Sequence, residues 1–240
     1  MSIPIQVSPP TNDLTLSKDQ TFAEVVKVTI PKSGVVPKVD VYFLADTTGS
    51  MAAAIAAVKS GMVDILTQTQ ALGSDVQFGV GNYKDFPAPD QGRHPYAFQH
   101  QCNLSANIAD VKAAVDTWTT TPGLDVPEAQ FYGLDRVAEP PGGNIGWRAE
   151  TKRIVVWIGD AGGHDPVCKA ISSLDYDITE KSVTDKLVAE KIIVLALSLK
   201  SRGAPAGLDN PIERACNCWL KSGIIYKNLG LSVYATWIQN

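Results

Sequence analysis

Residues 39–51 read Val39-Asp40-Val41-Tyr42-Phe43-Leu44-Ala45-Asp46-Thr47-Thr48-Gly49-Ser50-Met51, and this stretch decides the fold. Its first half is a short, nearly continuous run of apolar β-formers, the pattern of a strand buried on both faces. The run stops abruptly at Asp46-Thr47-Thr48-Gly49-Ser50, and the period then changes. Met51, Ile55, Val58, Met62, Ile65 and Leu66 recur at spacings of three and four as far as Gly73, which predicts an amphipathic helix.

The same alternation repeats outward from there. Val76–Tyr83 reads as the next strand, followed by a weaker one around Tyr96–Asn103 and helices near Ile108–Thr117 and Glu128–Val137. Ile154–Ile158 is a second doubly buried strand, ending at Gly159-Asp160; a helix near Thr179–Glu190 and a strand Ile192–Leu199 follow, and Leu231–Ile238 reads as a last strand. On the N-terminal side, residues 1–20 read as a loose lead-in. Phe22, Val26, Val28 and Ile30 mark a half-exposed strand before Pro31, Gly34 and Pro37. Short apolar strands alternating with helices predict an α/β domain, a doubly wound and mostly parallel Rossmann-like sheet flanked by helices. It is expected over 38–240, with an N-terminal β extension over 1–37. Ligands in such sheets bind outside the carboxyl ends of the strands. Asp46–Ser50, Asp85 and Asp160 all fall there.

Composition narrows the field. The 240 residues carry 21 Lys plus Arg against 25 Asp plus Glu, a net charge of −4, and 45% of them are hydrophobic. That is ordinary globular material, without the broad basic surface of a nucleic-acid or anionic-membrane binder. No apolar run approaches the ~18–20 residues that span a bilayer, so membrane insertion is not expected. The first residues lack the basic start and apolar stretch of a signal peptide. The four cysteines (Cys102, Cys168, Cys216, Cys218) lack the second close pair that a four-ligand zinc site needs. Asn103-Leu104-Ser105 matches a glycosylation sequon.

Asp46, Thr48 and Ser50, at i, i+2 and i+4, can curl one carboxylate and two hydroxyls around a common point. Hard divalent cations take such oxygens, and Mg²⁺ wants about six of them. Asp160 reaches the same crown from a neighbouring strand end, and Glu128 opens a helix from a loop that could share the edge. The plainer reading is a helix N-cap at Ser50; the acid ending a second buried strand favours the metal.

VDVYFLADTTGSM, FGVGNYKDF, LDVPEAQFYGLDRV and RIVVWIGDAGGHDP, in that order, resemble a von Willebrand factor A domain. The variant is that of the I-like domain of integrin β chains and of bacterial secreted relatives. The resemblance covers roughly residues 38 to 200 and implies a metal-ion-dependent adhesion site. Its ligands would be Asp46, Thr48 (where integrins usually have Ser), Ser50, Glu128 after Asp-x-Pro, and Asp160, often through water. It also implies a flanking Ca²⁺ site at Asp85, Asp125 and the carbonyl of Pro127, with Gly123 replacing an asparagine ligand. A third site would need acids where Ala53 and Ala54 stand. His164 is expected to make a structural hydrogen bond, and Cys168 to lie within bridging reach of Cys216 or Cys218. The final helix usual in the family has no counterpart after Ile238.

The resemblance therefore implies a non-enzymatic adhesion domain. Mg²⁺ or Mn²⁺ would engage an Asp or Glu carboxylate of a protein partner, at the cell surface or in a secreted protein. The alternatives are a metal-stabilised structural scaffold and a Mg²⁺-dependent hydrolase or phosphotransferase. For the latter, Thr48 removes the second acid of an Asp-x-Asp pair, and no phosphate-binding loop is present.

Overall fold

In the computed structural model the described residues are 6–8, 27–29, 38–71, 75–86, 94–122, 127–139 and 145–199. Two compact units divide the chain, Met1–Val36 and Pro37–Asn240. In the first, β1 (Gln6–Ser8) pairs antiparallel with β2 (Lys27–Thr29), Val7 facing Val28. Residues 6–8 are therefore a strand and not loose lead-in. A single apolar residue gives no periodicity to read, and the pairing comes from the distant partner.

The second unit runs β3 (Lys38–Asp46), a 3-10 turn (Gly49–Met51), α1 (Ala52–Ala71), β4 (Asp75–Tyr83), β5 (Phe98–Ser105), α2 (Ile108–Asp116) and α3 (Gln130–Val137). It continues with β6 (Lys152–Gly159), the single turn α4 (Lys169–Ser172), α5 (Glu180–Ala189) and β7 (Ile192–Ser198). The sheet order is β5-β4-β3-β6-β7, parallel except for β5, which pairs antiparallel with β4 at the edge. This is the expected doubly wound α/β architecture. The expected strand Leu231–Ile238 lies outside the described residues.

The pleat of β3 distributes the core. Val41, Phe43 and Ala45 pack on one face with Ile55, Met62 and Leu66 of α1 and Val111 and Val115 of α2. Tyr42 and Leu44 pack on the other with Leu134 and Val137 of α3 and Val183 and Leu187 of α5. Two-sided burial explains why β3 reads as continuous apolar sequence rather than alternation.

Several expectations are corrected. Helix Gly49–Ala71 is, by length and composition, long and apolar enough to cross a membrane, contrary to the sequence reading; its Ile55, Met62 and Leu66 are buried in the core. Ile65, expected in the buried stripe, is 50% exposed. β5 lies two residues later than expected, because an edge strand with intermediate burial carries little periodic signal. The helix expected from Glu128 begins at Gln130, since Glu128 forms a strand-like bridge with Gly163 instead.

Candidate metal centre

β3 and β6 are adjacent and parallel, with Ala45 opposite Ile158, so Asp46 and Asp160 leave the sheet side by side. The chain winds from β3 outward to β4 on one side and reaches β6 on the other, which makes this the topological switch point where such sheets bind ligands. Asp46 and Asp160 are both 0% exposed.

Two hydroxyls tie these acids into the crown. Asp46 Oδ1 accepts from the Thr48 backbone N–H and from Thr48 Oγ1, each at 2.7 Å. Ser50 Oγ donates to Asp160 Oδ1 at 3.1 Å. Ser50 is therefore not an N-cap: the cap position belongs to Thr48, and the Ser50 hydroxyl reaches across to the other strand end. Thr48 is buried while Ser50 is exposed, so the crown meets solvent at Ser50.

The surrounding loops are stitched by backbone bonds. Thr121 N–H donates to Thr47 O at 3.2 Å, Thr47 N–H to Tyr83 O at 2.9 Å, and Ala129 N–H to Lys84 O at 2.8 Å. Glu128 N–H donates to Gly162 O at 3.0 Å and His164 N–H to Glu128 O at 3.2 Å, which fastens the Glu128 loop to the loop after Asp160. Gly49 allows a close approach here: a Cβ on it would stand 3.0 Å from Pro122 Cα, so the Pro122 backbone would have to give by a few tenths of an ångström. Gln130 lies over Gly163 and donates from Nε2 to Ala161 O at 3.0 Å.

Electrostatics favour a cation. Burial pushes Asp46 from its ordinary 3.8 up to about 7; bonds from Thr48 oppose the rise, neighbouring Asp160 adds to it, and Lys84 opposes it. Burial likewise lowers Lys84 to about 8, against the pull of Asp46 and Glu128. Tyr83, whose hydroxyl accepts from Trp157 Nε1 at 3.0 Å, is raised well above its ordinary value by burial and then by Asp46. Asp46 Oδ2 and Asp160 Oδ2 are buried and have no hydrogen-bond partner among the described residues. Desolvated oxygens of this kind are costly unless paired, and the donor set of carboxylates and hydroxyls suits a hard divalent ion. Among the described residues no group of three or more His, Cys, Asp or Glu forms a metal cluster by itself.

For the flanking site, Asp85 Oδ1 accepts from the Phe86 backbone N–H and is 2.7 Å from His164 Nε2, in the structural role expected of that histidine. Pro127 is buried beside Glu128, and Asp125 and Gly123 lie outside the described residues. Cys168 is buried; its expected partners Cys216 and Cys218 also lie outside them.

The model of the integrin beta chain VWA domain matches residues 36–172, more than half of the chain. The chain belongs to this family. Integrin beta pat-3 of Caenorhabditis elegans is 31% identical over 144 residues, covering 52% of this chain and 17% of that protein. Integrin beta-like protein B of Dictyostelium discoideum is 23% identical over 189 residues, covering 78% of this chain and 8% of its own length. The VWA domain thus corresponds to under a fifth of either relative. Among solved structures, proximal thread matrix protein 1 from the mussel byssus, with a zinc-occupied MIDAS motif, aligns at TM-score 0.47 and 18% identity, over 68% of this chain and 36% of that one.

Sequence reasoning missed two residues that build the crown. Lys84 donates from Nζ to Thr47 O at 2.8 Å and to Thr119 O at 2.5 Å while only 1% exposed. A lysine directly after a doubly buried strand was the available signal. Gln130, fully buried on the first turn of α3, gave none.

Proposed function

We propose that this domain binds a partner protein through a divalent cation, Mg²⁺ or Mn²⁺, held by Asp46, Thr48 and Ser50 with Glu128 and Asp160. The observation that carries the reading is the pair of buried, unpartnered carboxylate oxygens, Asp46 Oδ2 and Asp160 Oδ2, at adjoining strand ends. When bound, the cation supplies a coordination position at which a partner's Asp or Glu carboxylate can replace water. The exposed Ser50 marks the side from which that carboxylate arrives. Family membership supports adhesion over catalysis and a secreted or cell-surface location. The crown acids are committed as ligands, and Thr48 leaves no second acid for phosphoryl transfer. The VWA module itself is taken as 38–240, with 1–37 as its extension.

The complete burial of Asp46 and Asp160 favours a second reading, in which the ion mainly holds the loops together as a scaffold. Calorimetric titration of Mg²⁺ and Mn²⁺ into EDTA-stripped protein, with Asp46→Ala beside it, separates the readings. Saturable binding that vanishes in a folded variant supports the contact role; a variant that unfolds supports the scaffold. A wild type that binds neither ion removes both. A weaker Ca²⁺ site at Asp85, Asp125 and Pro127 is proposed beside the first, where the ion competes with His164 for Asp85. Loss of a second Ca²⁺ binding class in Asp85→Asn supports it, and an unchanged isotherm rejects it.

A further inference from the structure

The loaded crown must attract a carboxylate, yet its own residues are acidic. Asp46, Glu128 and Asp160 bring three negative charges, and a divalent cation leaves one uncompensated. Lys84 is the cation that the chain itself places there. It is buried, it donates to the carbonyls of two crown loops, and its ammonium is electrostatically coupled to Asp46 and Glu128. Its hydrogen bonds go to the Thr47 and Thr119 carbonyls, so it lends charge without filling the orphaned Asp46 Oδ2.

We infer that Lys84 is the specificity-determining charge of the centre, the residue that brings the metal-loaded crown to neutrality so that an anionic ligand can reach the ion. The inference rests on the cation-binding reading above. It makes two effects of opposite sign: removing the charge favours the divalent cation and disfavours the carboxylate that joins it. A purely positional role for the Lys84 hydrogen bonds would weaken both together.

The test uses the full chain, Mn²⁺ and acetate as the probe anion. Mn²⁺ affinity is read by calorimetry at pH 7, and access of acetate by paramagnetic relaxation of its methyl protons. Lys84→Gln keeps amide donors for the two carbonyls and removes the charge; Lys84→Arg keeps both. In Lys84→Gln, Mn²⁺ should bind at least as tightly as in wild type. Its acetate affinity should fall roughly tenfold, the effect of one unit charge at about 10 Å in a partly screened site. Lys84→Arg should retain acetate within about twofold of wild type. Unchanged acetate affinity in Lys84→Gln overturns the inference, and so does a parallel loss of Mn²⁺ and acetate there. Should Lys84→Gln fail to fold, loss of acetate in Lys84→Arg with Mn²⁺ still bound overturns it, and retention supports it. A wild type that binds no Mn²⁺ defeats the cation-binding reading itself, which none of the variant outcomes does.

Discussion

Acidification should loosen the cation and tighten the metal-free fold, and both effects trace to Asp46. The unfolded chain ionises Asp46 near its ordinary 3.8; in the folded, metal-free protein burial raises this to about 7. Between those values the folded state holds a proton that the unfolded state has released. Stability from this group is therefore greatest toward pH 4 and declines as pH rises to 7. The span corresponds to on the order of 4 kcal/mol, at about 1.36 kcal/mol per pH unit. A divalent cation needs the carboxylate, so below pH 7 it must displace that proton. Its apparent affinity should drop by about tenfold per pH unit there. The assay is Mn²⁺ calorimetry from pH 7.5 to 5.5 in buffers of different ionisation enthalpy, paired with urea unfolding of the EDTA-stripped protein over the same range. Asp46→Asn, an isostere of the protonated acid, should not bind the ion, and its metal-free stability should lose the Asp46 share of the pH dependence. Asp165, raised to about 6 by burial, adds a smaller trend of the same sign to stability and remains in that control. A cation affinity flat between pH 7.5 and 5.5, or metal-free stability that falls on acidification as much in wild type as in Asp46→Asn, would refute the reasoning.

Two further perturbations separate the crown from the rest of the fold. In Gly163→Ala the new Cβ would lie 2.8 Å from Gln130 Cδ, pushing the amide off Ala161 O. Cation affinity should fall severalfold in Gly163→Ala and by a similar factor in Gln130→Ala, which deletes the same bond, and the double variant should fall no further; calorimetry on wild type and the three variants checks this. At the opposite end of the sheet, Asp40 is 0% exposed and accepts from Arg148 N at 2.8 Å, Arg148 Nε at 2.6 Å and Thr151 Oγ1 at 3.0 Å. Arg148→Met strands part of that buried charge and should cost about 3 kcal/mol in urea unfolding. Mn²⁺ affinity should not change.

What the sequence makes legible here is whatever a local pattern encodes. β3 and β6 stand out because burial on both faces leaves no polar interruption. Asp46, Thr48, Ser50 and Asp160 stand out because parallel neighbours must end at the same edge. The partners that complete the crown are long-range and carry no local mark. Ser50 reaches Asp160 across 110 positions and His164 reaches Asp85 across 79. Lys84 finds two carbonyls whose approach depends on the whole sheet order, and Gln130 finds Ala161 only because Glu128 is zipped to the loop beyond Asp160. The antiparallel edge of β5 was likewise hidden: its residues are of intermediate burial, so the period-two signal that places a strand's ends is weak.

The most direct measurement of the central claim is water-proton relaxation during titration of Mn²⁺ into the EDTA-stripped chain, because it reads bound metal and exchangeable coordinated water together. A saturable enhancement that is abolished by EDTA and absent in Asp46→Ala is the predicted result. No enhancement in the wild type, or one that survives unchanged in Asp46→Ala, would contradict a cation held at the end of β3 with a position open to a ligand.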